Sequence, residues 1–231
     1  MNQSRPAMAP RFQCYGITDQ ASALGRDDTL VAAALLKGGS SCLQYRAKKV
    51  DAREQWRVAG ILRGMCKAAG ALFIVNDRVD LALDCGADGV HVGQDDAPLE
   101  AARTLARRAG RPDFVIGVST HSREQALRAQ EEGADYIGFG PVYPTQTKEH
   151  NVPAVGEDAL ASVLKAVSIP VVAIGGIKLE RLETLARLGA RHCAIVTALT
   201  SAPDVAGAAD RHWTVWREAL LAADATQLQH P

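Results

Sequence analysis

What the chain lacks narrows it first. Its 26 basic and 26 acidic side chains cancel over 231 residues, so no excess of charge draws it to nucleic acid or to an anionic membrane surface. No stretch approaches the roughly 18 uncharged apolar residues of a membrane span, and the opening Met1 to Pro10 has no apolar core of a secretory signal. A cytoplasmic location and small-molecule partners are therefore expected, with no nucleic acid and no membrane; self-association into a homo-oligomer stays open. The five cysteines, Cys14, Cys42, Cys66, Cys85 and Cys193, form no Cys-x-x-Cys pair and sit among apolar neighbours. They read as buried free thiols, not as disulfides or zinc ligands. No Ser/Gly-rich linker divides the chain, and no Gly-x-Gly-x-x-Gly follows the first apolar run. With 47% hydrophobic and 23% charged residues, what remains is a packed globular protein.

What is present is an alternation. Short apolar runs recur at Cys14 to Thr18, Cys42 to Tyr45, Leu72 to Val75, Gly89 to Val92, Phe114 to Ser119, Tyr136 to Phe139, Val171 to Ile174 and Cys193 to Val196. Most are continuously hydrophobic, the pattern of parallel strands buried on both faces. Between them run helical periods: Leu99, Ala102, Leu105, Ala106 and Ala109 follow Pro98 and stop at Gly110, and Leu179, Leu182, Leu185, Ala186 and Leu188 stop at Gly189. Ser122 with Gln125 reads as a capping box. Eight strand-helix units fit one α/β (β/α)8 TIM barrel over 11–222 better than an open doubly wound sheet, with loose tails at 1–10 and 223–231.

In such a barrel the working residues lie at the carboxyl ends of the strands. Gln44, Arg46 and Lys48 alternate onto one face of an extended chain and converge an amide with two cations, a grouping suited to a polyphosphate. Asn76 and Asp77 end the third strand, and Asp96 follows the fourth. Carboxylates at adjacent strand ends can share Mg2+, although both aspartates also sit where a helix cap would. Asp95 reads as solvated. Ser119 and His121 follow strand five; His121 is either an acid or base, or an exposed loop residue. His91 reads as filling space near the barrel end. The loop Gly140 to Lys148 offers hydroxyls and an ammonium to anionic oxygens. Gly175-Gly176 and Thr197 end strands seven and eight, where barrels of this kind hold a phosphate.

These stretches resemble the thiamine phosphate synthase family. The resemblance runs from about Tyr15 to Pro203 and rests on Tyr-Gly-Ile-Thr-Asp (15–19), Gln-Tyr-Arg-Ala-Lys (44–48), Val-Asn-Asp-Arg-Val-Asp (75–80), Gly-Ala-Asp-Gly-Val-His-Val-Gly-Gln (86–94), the stretch from Gly133 to Lys148, and Ala-Ile-Gly-Gly-Ile (173–177). It implies a transferase of thiamine biosynthesis that joins a pyrimidine diphosphate to a thiazole phosphate, plain or carboxylated, by a dissociative reaction needing Mg2+. By the same resemblance Gln44, Arg46, Lys48, Asn76, Ser119 and Lys148 hold the pyrimidine diphosphate, with Arg46, Lys48 and Lys148 acting on the leaving group. Thr145, Gln146, Thr147, Gly176, Val196 and Thr197 hold the thiazole phosphate, and Asp77 and Asp96 bind the metal. Tyr45, Ala47 and Thr197 depart from the usual family residues. A thiazole tautomerase on the same barrel and a non-catalytic phosphate-binding barrel are the alternatives.

Overall fold

The computed structural model describes residues 12–145 and 153–229. Its eight strands are β1 (Cys14–Ile17), β2 (Cys42–Tyr45), β3 (Leu72–Asn76), β4 (Gly89–Val92), β5 (Val115–Thr120), β6 (Tyr136–Phe139), β7 (Val171–Ile174) and β8 (His192–Ile195). All pair in parallel in chain order, and β1 pairs with β8 to close the barrel. The open doubly wound sheet is thereby excluded. Helices α1 (Asp28–Lys37), α2 (Ala52–Ala69), α3 (Val79–Asp84), α4 (Leu99–Arg108), α5 (Arg123–Glu131), α6 (Gly156–Ala166), α7 (Leu182–Arg187), α8 (Thr197–Thr200) and α9 (Val205–Gln229) follow the strands.

Local chemistry sets the helix ends. Asp27, Asp51 and Ser122 accept backbone N–H bonds at the starts of α1, α2 and α5, each satisfying a donor that the first turn leaves over. Gln125 completes the Ser122 motif by accepting from the His121 N–H, one residue earlier than a capping box requires. Pro98 stands at the cap of α4, just outside the first helical position.

The period-2 alternation of each strand separates two cores. One face packs against the helices, with Leu43, Phe73, Val90, Ile116, Ile137 and Ile195 among its strand residues. The other fills the barrel with Phe12, Tyr15, Ile17, Cys42, Leu72, Ile74, Val115, Tyr136, Val172 and Ala194. Phe12 lies at the amino end, its ring 4.5 Å from that of Tyr136. The two Gly-Ala-Asp stretches work at that end as well. Asp88 accepts the Phe73 N–H and Asp135 the Ile116 N–H, each at 2.8 Å or less, tying a strand to its neighbour where barrels keep their stabilising residues.

The expectation of a loose tail from residue 223 needs correction. Helix α9 continues to Gln229, Ala223 is buried, and Arg191 pairs with Asp224 at 2.7 Å. The run Ala222, Ala223, Ala225 has the intrinsic preference to extend a helix once Trp213 and Trp216 have anchored it in the core. The amino-terminal tail at 1–10 lies outside the described residues.

His192 is buried in the barrel near Phe12, its Nδ1 without a hydrogen-bond partner among the described residues. Burial first, then the Arg191 charge, lowers its pKa from 6.5 to about 4. The unfolded chain takes up a proton below 6.5 that the folded chain refuses, so this contribution is complete above that pH and is lost as pH falls toward 4. Asp28, raised to about 6 by burial, works in the opposite sense, so the test is a difference. Relative to wild type, His192→Leu should gain stability between pH 6.5 and 4, up to about 3 kcal/mol, in denaturant titrations. Parallel curves across that window would contradict the assignment.

Candidate active site

The carboxyl ends of the strands surround a cavity of about 1080 Å3. Gln44, Arg46, Asn76 and Ser119 line it from β2, β3 and β5, and Thr145, Gly176, Val196 and Thr197 from the β6 to β8 side. A recess of about 190 Å3 adjoins it, lined by Lys48, Asn76, Asp77 and Arg78. Asn76 belongs to both. Gln146, Thr147 and Lys148 lie outside the described residues.

The charged residues hold one another in place. Arg46 pairs with buried Asp19 on the loop after β1, which aims the guanidinium and leaves further donors of its fork for an anion. Lys48 Nζ lies 2.6 Å from Asp77 Oδ2. Asp77 is no helix cap: its φ is +61°, and Arg78 occupies the cap position of α3. A non-glycine residue in the left-handed region is uncommon and costs energy that the surrounding fold must supply. Asp96 is likewise not the cap of α4; its Oδ2 accepts the Gly93 N–H at 2.7 Å. Its charge is felt at Asp77. Burial most strongly pushes the Asp77 carboxyl up; Asp96 adds to the rise and Lys48 opposes it.

Two carboxylates that raise one another's cost of ionisation would gain from a cation held between them. Among the described residues no group of three or more His, Cys, Asp or Glu side chains comes together. Asp77 lines the recess and Asp96 neither hollow, but both are partly exposed, and two such carboxylates are a donor set that fits Mg2+, which seldom uses an all-protein cage. Asp95 is exposed.

The Gly175-Gly176 turn serves the backbone in two ways. Both residues have positive φ, +97° and +64°. A Cβ on Gly175 would meet Pro141 Cβ at 2.4 Å, and one on Gly176 would meet the Pro144 carbonyl at 2.6 Å. The pair therefore seats the loop after β6 against the end of β7, beside the cavity. His121 ties the same loop to β5 by bonding the Gly140 carbonyl through Nδ1.

Several residues at the site were not singled out from the sequence. Asp19 stands inside a motif of the resemblance, yet its pairing with Arg46 crosses from one strand end to the next. Tyr15 and Tyr136 look like ordinary core aromatics in the sequence, but both line the cavity and their hydroxyls bond each other at 2.9 Å. His91 does more than fill space: it bonds Tyr136 and Ser119.

Comparison with known proteins identifies the family. A family model described as thiamine monophosphate synthase matches residues 14–199. The chain belongs to that family. Transferase chemistry and a place in thiamine biosynthesis come with the membership. The chain is 45% identical to the thiamine-phosphate synthase of Methanospirillum hungatei over 84% of its length and 92% of the relative's. It is 44% identical to that of Methanocella arvoryzae over 86% and 92%. Among solved structures it superposes on a thiamine phosphate pyrophosphorylase from Pyrococcus furiosus with a TM-score of 0.84 at 34% identity, covering 92% of this chain and 99% of that one. A 3-hexulose-6-phosphate synthase, at 14% identity and a TM-score of 0.65, shares the fold alone.

Gly175→Ala should cost roughly 2 kcal/mol or more of stability, from the left-handed backbone and the Pro141 contact. Gly189→Ala is the matched control, since its φ is +99° and a Cβ there meets nothing within 4 Å. Thermal denaturation should separate the two variants; equal melting temperatures would remove the packing role.

Proposed function

We propose that the barrel joins 4-amino-2-methyl-5-hydroxymethylpyrimidine diphosphate to 4-methyl-5-(2-hydroxyethyl)thiazole phosphate, or its carboxylated form, giving thiamine phosphate and diphosphate. One observation carries the reading: a single cavity is lined at once by Gln44, Arg46, Asn76 and Ser119 and by Thr145, Gly176, Val196 and Thr197. Both substrates can then lie within reach of each other, and orienting two reactants in one site removes much of the entropic barrier to joining them.

The chemistry asks little of the protein covalently. The C–O bond to the diphosphate breaks with its electron pair leaving on oxygen, and the aminopyrimidine ring stabilises the positive methylene carbon. The lone pair of the thiazole nitrogen then forms the new C–N bond. No protein nucleophile is consumed. What the leaving group needs is neutralisation of growing negative charge by groups already in place. Arg46, held by Asp19, and Lys48, held by Asp77, are those groups in this reading, with Lys148 from the loop after β6. Asp77 and Asp96 would hold Mg2+, which when bound supplies further positive charge at the diphosphate. Gln44, Asn76 and Ser119 orient the pyrimidine. Thr145, Gln146 and Thr147 with Gly176, Val196 and Thr197 receive the thiazole phosphate.

A cytoplasmic enzyme with small-molecule partners completes the proposal. Among the described residues no helix is long and apolar enough to cross a membrane. A tautomerase would have no use for the paired carboxylates and the two held cations, and a non-catalytic barrel would have no use for the metal pair.

Asp77→Asn and Asp96→Asn should each lower kcat on the order of 10^2-fold or more while leaving the fold intact by circular dichroism, because the stabilisation removed is worth several kcal/mol. A variant that stayed within about threefold of wild type at modest Mg2+ would take that residue out of the site.

A further inference from the structure

Four hydrogen bonds run without a break across the inside of the barrel, from one side of the cavity to the other. Gln44 Nε2 donates to Tyr15 Oη at 2.9 Å, and Tyr15 Oη and Tyr136 Oη lie 2.9 Å apart. Tyr136 Oη lies 3.0 Å from His91 Nδ1, and His91 Nε2 lies 2.9 Å from Ser119 Oγ. The two ends are residues that the proposed function assigns to the pyrimidine. The three between them, Tyr15, Tyr136 and His91, are buried and have no part in that assignment.

Counting protons gives the chain a direction. A phenol has one hydrogen to donate. The Tyr15 oxygen accepts from Gln44, so its own hydrogen goes to Tyr136; the neighbouring Cys42 sulfur is a weak acceptor by comparison. Tyr136, having accepted, donates to His91 Nδ1. With Nδ1 an acceptor, the ring hydrogen sits on Nε2 and is donated to Ser119 Oγ. The opposite order would need the Gln44 amide turned over, its carbonyl accepting from Tyr15 and its NH2 facing the cavity; the structure has the Nε2 on Tyr15 instead. Packing holds the rings in this arrangement. A Cβ on Gly117 would come within 2.1 Å of the Tyr136 ring, so only glycine leaves room for it there, and one on Gly138 would press on the His91 ring at 3.2 Å.

We infer that Tyr15, Tyr136 and His91 form a one-way relay that fixes Ser119 as a hydrogen-bond donor and Gln44 as an acceptor toward the cavity, and so selects an aminopyrimidine over its oxo analogue. The inference rests on the assignment of Gln44 and Ser119 to the pyrimidine. An aminopyrimidine offers an amino N–H to the Gln44 carbonyl and a ring lone pair to the Ser119 hydroxyl. An oxo analogue puts a carbonyl where the amino group was and a hydrogen on a ring nitrogen, so buried groups on both partners go unpaired. Sites that read a ligand through such bonds discriminate far more sharply than apolar pockets do. Tyr15, Tyr136 and His91 also line the cavity; in this inference they act as positioning residues, through the donor and acceptor they fix at Ser119 and Gln44.

The test uses the full chain. In 15N spectra of the wild type, the His91 ring, identified by the signals lost in His91→Gln, should carry its hydrogen on Nε2. In kinetics, the wild type should prefer the amino over the oxo pyrimidine diphosphate by about 10^2-fold or more in kcat/KM, and Tyr136→Phe should cut that preference at least about tenfold. The loss should fall mainly on KM for the pyrimidine, with KM for the thiazole phosphate unchanged, which a general loosening of the barrel would not produce. Hydrogen on Nδ1, or an undiminished preference in a folded Tyr136→Phe, would overturn the relay while thiamine phosphate formation by the wild type continued. If Tyr136→Phe failed to fold, the wild-type spectrum would still decide. A wild type that made no thiamine phosphate would remove the functional reading and the inference with it.

Discussion

The rest of the molecule depends on closure of the barrel, the pairing of β1 with β8 through Cys14 with Cys193, Tyr15 with Ala194 and Gly16 with Ile195. Because every strand is parallel, closure gathers eight carboxyl ends on one rim, and residues far apart in the chain become neighbours there. The loops reinforce the seam: Ser22 bonds Thr200 at 2.7 Å, and Arg26 donates to the Ala202 carbonyl at 2.8 Å. This seam brings Asp19 and Arg46 to the same cavity as Val196 and Thr197. An open sheet of the same strands would leave Asp19 at one edge and Val196 and Thr197 at the other.

Closure also creates the enclosed interior in which polar side chains must satisfy one another. Tyr15, Tyr136, His91 and Gln44 are buried there, and a buried polar group without a partner costs more than a bond to it returns. Their hydrogen bonds are thus a condition of the fold before they are a property of the site. The glycine at 117 follows from the same demand, since the Tyr136 ring needs the volume a Cβ would take.

How much of this the sequence displays depends on the range of the interaction. The strands were legible to within a residue or two because burial on both faces leaves an unbroken apolar run, as in Val171–Ile174 and Tyr136–Phe139. The rim residues were legible once the barrel was in hand, since Gln44, Arg46, Asn76 and Ser119 each stand at a strand end. Pairings across the rim were not: nothing near Arg46 in the chain points to Asp19, and nothing near Lys48 points to Asp77. Asp77 and Asp96 were read as permitting helix caps, but that pattern cannot reveal a left-handed backbone at one and a Gly93 contact at the other. Asp88 and Asp135 belong to the matched motifs, yet their bonds to neighbouring strands at the amino end show that part of the resemblance carries the barrel and not the chemistry. The end of α9 was missed because its last turns carry few apolar residues, although alanine favours helix there.

The central claim is that one cavity brings a pyrimidine diphosphate and a thiazole phosphate together and exchanges diphosphate for a carbon–nitrogen bond. The most direct measurement mixes the full chain with both substrates and Mg2+ and quantifies the two products over time. The account predicts thiamine phosphate and diphosphate in equal amounts, both suppressed when the metal is chelated. Diphosphate release without thiamine phosphate, or no turnover of either substrate, would contradict it.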